Sequence, residues 1–403
     1  MKIVFVSNYI NHHQIPFCRA MAAAPDTEFT FVQLMPMEEE RVRMGWDKAL
    51  GELPFLKCMY DDQQAIRRQI LDCDAALFGW SDCEDLIRER LDAGKIVIRV
   101  SERIYREGQW KRFSPRGLLA KYHEHIRYRN KEAYLLCAGA YVASDFSLIH
   151  AYPDKMFKWG YFPELRRYGD DRILQIREGR LADERLRLMF AGRFIPLKHP
   201  EYALKEALFM KNAGLPVRLD MVGSGQMQDE LQELVRNNGL EDTVRFTGFM
   251  EPDKVRDLME ESDLFFFTSN HLEGWGAVLS EAMNSMCACV AGTMAGAAPF
   301  LIENGSNGIL YDRESFASFH AAVQKLVSDG KGRILPAEQV KERCFKMGQA
   351  AYGTMADLWN AQKAADELAA FIRCRLAGNE YMPPSKGPMS RALVIKPFLK
   401  IDE

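Results

Sequence analysis

Residues Asn270–Val290 read NHLEGWGAVLSEAMNSMCACV and directly follow the apolar run Leu264–Thr268, LFFFT. That run has the length and character of a strand buried on both faces. Gly274 and Gly276 flank Trp275, and the spacing predicts a helix from Ala277 to about Met286. Strand, glycine loop and helix in that order form the repeating unit of an open, doubly wound α/β sheet. Glycines let a backbone approach a ligand closely. The start of the helix offers free N–H groups and a positive dipole end, which together suit an anion.

The helix is almost wholly apolar through Ala277, Val278, Leu279, Ala282, Met283 and Met286, yet Glu281 sits among them. A carboxylate there is costly unless it is paired or hydrogen-bonded. Glu273 lies eight residues earlier, in the loop, so the two acids need not share a helical face. Two readings stand: acids that hold a ligand, or a helix cap at Glu273 with an incidental salt bridge at Glu281.

Working outward, the same alternation runs along both halves of the chain. Expected strands in the first half are Lys2–Ser7, Phe29–Leu34, Ala75–Trp80, Ile96–Ser101 and Ala140–Ser144, with a helix over Asp82–Ala93. After an Arg-rich stretch, Arg166–Arg185, a second series follows: Leu186–Ala191, Val217–Val222, Val244–Thr247, Leu264–Thr268, Ala288–Ala291 and Gly308–Tyr311. Helices over Glu201–Ala213, Met227–Asn237 and Pro252–Glu261 separate its strands. The expected architecture is therefore two doubly wound, Rossmann-like α/β domains facing across a cleft, residues 1–165 and 166–355. A closing segment, 356–403, contains a helix over Ala356–Leu376 and is expected to pack back toward the first domain. Its tail, Pro-rich from Met382, ends in Val394–Ile401.

Composition narrows the function classes. The 403 residues carry 53 Lys and Arg against 56 Asp and Glu, a net charge of −3, which argues against a nucleic-acid partner. No apolar run approaches the ~20 residues of a membrane span. The apolar stretch Ile3–Val6 is too short for a signal-peptide core. Nine scattered cysteines without a C-x-x-C pair fit a reduced, cytoplasmic setting and no zinc site.

Open α/β sheets bind ligands beyond the carboxyl ends of their strands, so the loops there carry the chemistry. In Leu186–Pro200, LRLMFAGRFIPLKHP, Arg193 leaves a strand and Lys198 follows five residues later. Such a pair clamps phosphates, Arg as a fork and Lys as a point charge, or is simply solvated. Gly223 and Gly225 follow the next strand. Gly248–Pro252, including Met250, turns into a helix and suits backbone contacts to a nucleotide base.

In order and spacing, these loops over residues 186–312 resemble the C-terminal half of GT-B glycosyltransferases, specifically the large retaining family 4. The shared elements are E-x7-E at Glu273 and Glu281, the Gly-Arg…Lys element at Arg193 and Lys198, and the turn Asn307-Gly308. The resemblance implies catalytic roles for Glu273, Arg193 and Lys198. Arg193 and Lys198 would neutralise the departing pyrophosphate and Glu281 would accept the ribose hydroxyls. Glu273, with Gly274, Trp275, Gly276 and Ala277, would hold the sugar and phosphate, while Gly223 and Met250 would complete the donor site. The donor would be a UDP- or GDP-sugar, with no cofactor and no metal. The chain departs from the family at Phe300, where an acid is usual, and at Met286-Cys287-Ala288, where Gly-x-Pro is usual.

The first half resembles the family only in strand rhythm. Its first loop, Asn8–Gln14, lacks the usual glycines and places Asn11, His12 and His13 as acceptor-side candidates. Glu102, after another strand, is a fourth; it either orients an acceptor hydroxyl or pairs with Arg103. Asp145 is similar. Asp72-Cys73-Asp74 has the D-x-D pattern of another glycosyltransferase fold but falls at the amino end of a strand, so it reads as a loop. Arg103–Lys131 holds nine Lys and Arg against two Glu, interleaved with aromatics. That mixture suits an anionic membrane surface, or a helix pair whose charges face water.

The resulting expectation is a retaining, metal-independent hexosyltransferase. It would act from a nucleotide sugar onto a glycan or lipid-linked acceptor, in surface polysaccharide biosynthesis, at the cytoplasmic face of the membrane. The alternatives are an inactive nucleotide-sugar-binding partner of a glycan assembly complex and a sugar-nucleotide epimerase. A dehydrogenase lacks its G-x-G-x-x-G.

Overall fold

The structure is a computed structural model and describes residues 1–39, 53–312 and 314–395. The chain divides into two compact units, Met1–Glu164 with Leu358–Glu403, and Leu165–Asp357. Each is built around one parallel sheet.

In the first unit the strands are β1 (Lys2–Ser7), β2 (Glu28–Gln33), β3 (Leu56–Cys58), β4 (Ala75–Phe78), β5 (Ile96–Ser101), β6 (Ala133–Ala138) and β7 (Met156–Trp159), ordered 3-2-1-4-5-6-7. Ile3 to Ser7 of β1 are all buried, as expected of a central strand covered on both faces. The strand order reverses between β1 and β4, which makes the carboxyl end of β1 a topological switch point.

The second unit contains β8 (Leu186–Ala191), β9 (Val217–Val222), β10 (Val244–Gly248), β11 (Leu264–Phe267), β12 (Ala288–Gly292) and β13 (Ile309–Tyr311), ordered 10-9-8-11-12-13. Register runs Leu186↔Val217 to Ala191↔Val222 across β8 and β9, and Leu264↔Ala288 to Phe267↔Ala291 across β11 and β12. Leu188, Phe190, Leu219, Phe266, Val290 and Phe319 belong to its core. Here the switch point lies between β8 and β11, directly below the loops singled out from the sequence.

Several expectations are corrected. Ala140–Ser144 is no strand: β6 ends at Ala138, Gly139 turns, and a helix runs Val142–Leu148. The buried run Tyr134–Cys137 fills the sheet position, and the small residues after it suit a tightly packed helix. The short β3 and β7, each with polar positions, carry too little periodicity to show in sequence. The Arg-rich stretch contains a helix, Asp170–Leu181, whose Arg180 is buried and donates to the carbonyls of Glu260, Met286, Met259 and Ser285. The single closing helix is two, Ala337–Asp357 and Ala361–Leu376, separated where Asn360 caps the second by accepting from Lys363 N at 2.8 Å. That second helix lies in the first unit, where Phe371 meets Tyr134 and Phe157 edge-on or tilted and Arg375 pairs with Glu132 at 2.9 Å. Residues 396–401 of the terminal run Val394–Ile401 fall outside the described residues.

Candidate donor site and its surroundings

In the second unit the loops after β8, β9, β10 and β11 are zipped together by their backbones. Gly192 N donates to Val222 O (3.0 Å), Gly223 N to Gly248 O (2.9 Å) and Phe194 N to Ser224 O (2.8 Å). Gly223 has φ +123°, and a Cβ there would stand 2.1 Å from Gly192 O, so only glycine fits. Arg193 is exposed at this edge, and its guanidinium makes no ion pair among the described residues.

Lys198 is held from two sides. Thr268 Oγ1, at the end of β11, donates to Lys198 O (2.6 Å) and to His199 O (3.1 Å), and Asn270 N donates to Leu197 O (2.8 Å). Lys198 Nζ then pairs with Glu273 Oε2 at 2.5 Å, both side chains being about one-seventh exposed. Glu273 therefore neither caps the helix nor stands alone; it faces the cation that sequence reasoning grouped with it. The same loop is tied to the chain after β13, where Glu314 accepts from His271 N (2.5 Å) and lies 2.9 Å from His271 Nδ1. Burial opposes ionisation of Glu314, but the His271 contacts outweigh it and hold its carboxyl below the usual range.

Gly276 ends the loop in the left-handed region at φ +84°, and a Cβ there would come within 2.3 Å of the Phe267 ring. It caps the helix Ala277–Asn284. Trp275 is buried, its carbonyl accepts from Ala297 N (3.1 Å), and its ring lies 6.4 Å from that of Phe300. The indole thus anchors the loop from within. Glu281, within the helix, is half-buried and accepts no side-chain hydrogen bond among the described residues. Burial pushes its carboxyl up to about 7, against the opposing pull of Arg256. Arg256 itself donates to Ser285 Oγ (2.9 Å) and Asn284 Oδ1. Met250 is half-buried beside the exposed Phe249.

A shallow hollow beside this loop is lined by His199, Tyr202, Thr268, Asn270, Thr293 and Glu314 among others. Thr268, His271 and Glu314 escaped sequence reasoning because nothing in a lone Thr, His or Glu marks it as a loop tie. No group of three or more His, Cys, Asp or Glu side chains that could hold a metal stands among the described residues.

In the first unit, Asn11 Oδ1 accepts from His13 N (3.0 Å), and the His12 and His13 rings are 3.8 Å apart. Burial, with the His12 charge adding to it, holds the His13 pKa well below the usual imidazole value. The His13 ring lies parallel to Tyr161 at 6.5 Å, and Tyr161 Oη donates to Glu102 Oε1 (2.6 Å). Asn11, His12, His13 and Glu102 therefore gather at the carboxyl ends of β1 and β5. Glu102 does not pair with Arg103. Instead Arg103 meets Asp145 at 3.1 Å, and the fully buried Asp145 also accepts from Tyr105 N and Gln109 Nε2, both at 2.9 Å, a structural role. Asp74 accepts from Lys2 N (2.6 Å) at the amino end of β1, away from these loops.

Residues 171–351 match the family described as glycosyl transferases group 1. Among curated proteins, the alpha-D-kanosaminyltransferase of Streptomyces kanamyceticus is 27% identical over 202 residues, 50% of this chain and 49% of that protein. The lipopolysaccharide core biosynthesis glycosyltransferase LpsE of Rhizobium meliloti is 29% identical over 178 residues, 43% of this chain and 49% of that protein. The chain thus spans about half the length of these curated relatives. Among solved structures, Anabaena Alr3699/HepE in complex with UDP covers 93% of this chain and 100% of its own at a TM-score of 0.62 and 16% identity, a likeness of fold. Residues 171–351 are thus similar to the glycosyl transferases group 1 family, and the two parallel-sheet units have the fold of GT-B glycosyltransferases.

Proposed function

We propose that the protein is a retaining, metal-independent transferase. It moves a hexosyl unit from a UDP- or GDP-sugar to a hydroxyl of a glycan or lipid-linked acceptor, in surface polysaccharide biosynthesis. The observation that carries this reading is the Lys198–Glu273 pair, with Arg193 in the same loop and without an ion pair among the described residues, at the switch point of the second sheet. Two cations there supply the charge that a departing diphosphate needs, in place of a metal. The UDP bound to HepE and the lipopolysaccharide role in the name of LpsE support the donor and the setting.

In this reading the acceptor oxygen attacks the anomeric carbon from the face the phosphate leaves. The bond from that carbon to phosphate oxygen breaks, and the acceptor proton passes to the phosphate oxygen. The products are a glycosylated acceptor with unchanged anomeric configuration and a nucleoside diphosphate. Lys198 and Arg193 stabilise the developing charge, Glu273 exchanges Lys198 for sugar hydroxyls, and Glu281 accepts the ribose hydroxyls. Asn11, His12, His13 and Glu102 face the acceptor.

The membrane side of the proposal rests on Arg103–Lys131. Trp110, Phe113 and Leu119 are 60–72% exposed, and the helix Pro115–Glu124 buries no residue, so its apolar atoms meet water beside Arg112 and Arg116. Such a face suits an anionic lipid surface. No helix among the described residues is long and apolar enough to cross a membrane.

The test is thermal unfolding with UDP, GDP and ADP, each with and without magnesium, followed by transfer from the matching labelled sugar. A ligand at ~100 times its dissociation constant adds about 2.7 kcal/mol. A shift with one diphosphate that needs no magnesium, and an α-linked product from an α-linked donor, are expected. A shift without any transfer would favour the inactive, nucleotide-sugar-binding partner.

A further inference from the structure

Trp80 is 78% exposed and, among the described residues, makes no hydrogen bond and no ring contact. It stands two residues past β4. Gly79 N donates to Val6 O (2.9 Å), so the chain leaves the sheet beside β1 and the indole lies at the carboxyl edge. Tyr60, two residues past β3, and Met35, two past β2, are also about half exposed at this edge. Gln33 fixes the phenol: its Nε2 donates to Tyr60 Oη (3.1 Å) and its Oε1 accepts from Ile10 N (3.3 Å). Given the order 3-2-1-4, strand spacing separates Trp80 from Met35 and Tyr60 by roughly 10–15 Å.

A large aromatic side chain left in water offers a free π-face to a ligand, and its surroundings name the occupant. No Lys or Arg occurs in Gly79–Ile87, GWSDCEDLI, whereas three acids do. Glu84 is committed to Arg99 (2.7 Å) and Asp85 to Arg67 (2.5 Å). Asp82 stays exposed without an ion pair among the described residues. Negative charge beside the ring repels an anionic lipid surface, in contrast to the basic Arg103–Lys131. Apolar groups set singly along an edge also differ from the continuous patch of a protein interface. An aromatic face next to a free carboxylate matches a sugar ring, whose C–H face packs on the π-system while its rim hydroxyls donate to the acid.

We propose that Trp80 and Asp82 form a stacking subsite for a pyranose ring of an oligosaccharide acceptor, with Tyr60 and Met35 meeting further rings of the same chain. This rests on the glycosyltransferase reading above. It extends that reading by naming an acceptor of several linked sugars and the side chains that hold it.

The experiment measures binding of maltotriose, cellotriose, mannotriose and triacetylchitotriose by calorimetry and indole fluorescence, on the full chain and on Trp80→Ala and Trp80→Phe. At least one trisaccharide is expected to bind wild type at least tenfold more tightly than Trp80→Ala, with Trp80→Phe between them. Its monosaccharide should bind at least tenfold more weakly. Equal binding by wild type and Trp80→Ala, or no binding of any of the four, overturns the subsite. So does a Trp80 emission shift with phosphatidylglycerol vesicles and none with sugars. The UDP-induced unfolding shift, measured on the same three proteins, should not change; its absence in wild type would count against the donor site instead and leave the sugar result to stand alone.

Discussion

Lys198 Nζ lies 2.5 Å from Glu273 Oε2, with both side chains about one-seventh exposed. The cation that the proposed function gives to a donor phosphate is thus neutralised internally, and in that proposal the donor competes with a carboxylate for it. Lys198→Ala is expected to lower turnover about 10²–10³-fold, the scale of losing one charge-stabilising donor. Glu273→Gln should separate the two roles: UDP binds at least as tightly because Lys198 is released, while turnover falls. Calorimetry with UDP alongside initial rates checks both, and unchanged turnover in Lys198→Ala would sink the clamp.

In the proposed function, Glu281 links donor binding to pH. Its carboxyl is pushed up to about 7 by burial, so below that pH it is protonated and poorly able to accept ribose hydroxyls. UDP affinity should fall as pH drops from 8 to 6, and Glu281→Gln should flatten the profile. The stability sign follows from linkage. A folded pKa raised from 4.5 gives stability that is complete below 4.5 and lost as pH rises toward about 7. The advantage of Glu281→Gln in unfolding temperature should therefore grow across that window and level off above it.

Gly223 and Gly239 both sit at positive φ, yet only Gly223 would place a Cβ against backbone, 2.1 Å from Gly192 O; around Gly239 nothing lies within 4 Å. Gly239→Ala should cost about 1–2 kcal/mol, the penalty of a left-handed residue. Gly223→Ala should cost about 3 kcal/mol or more by adding a collision between loops. Chemical denaturation of the two variants checks the order, and UDP binding should suffer only in Gly223→Ala.

Trp110, Phe113 and Leu119 are exposed, so replacing all three by Ser should leave the unfolding temperature nearly unchanged. Cosedimentation with phosphatidylglycerol vesicles should fall at least tenfold in the triple variant, and wild-type binding should weaken with salt. Equal sedimentation of the two proteins would assign the segment to water.

Central strands were legible from residue order because burial on both faces keeps the run mainly apolar, with only single charged residues such as Arg99, Arg187, Arg218 and Asp220 within it. Lys2–Ser7, Ile96–Ser101, Leu186–Ala191 and Val217–Val222 match to the residue. The strand expected at Ala140–Ser144 failed because small apolar residues fit a packed helix as well as a strand, and only the sheet position already filled by β6 separates the two. The candidate site was legible where spacing carries it: Glu273 and Glu281 across a strand–loop–helix unit, and Arg193 and Lys198 past a strand end. Thr268, Glu314 and Trp80 were not, since their significance lies in partners or exposure.

By itself the sequence determined two parallel α/β halves and the loops that bear charge, because strand and helix periods and glycine positions are local properties. Tertiary structure alone decided that Lys198 meets Glu273 and that Arg256 donates to Ser285 and Asn284. It also decided that Arg103 serves Asp145 rather than Glu102, and that Trp80, two residues past β4, stands in water. Each is a contest among partners brought together by folding, settled by distance and desolvation, which no spacing along the chain encodes.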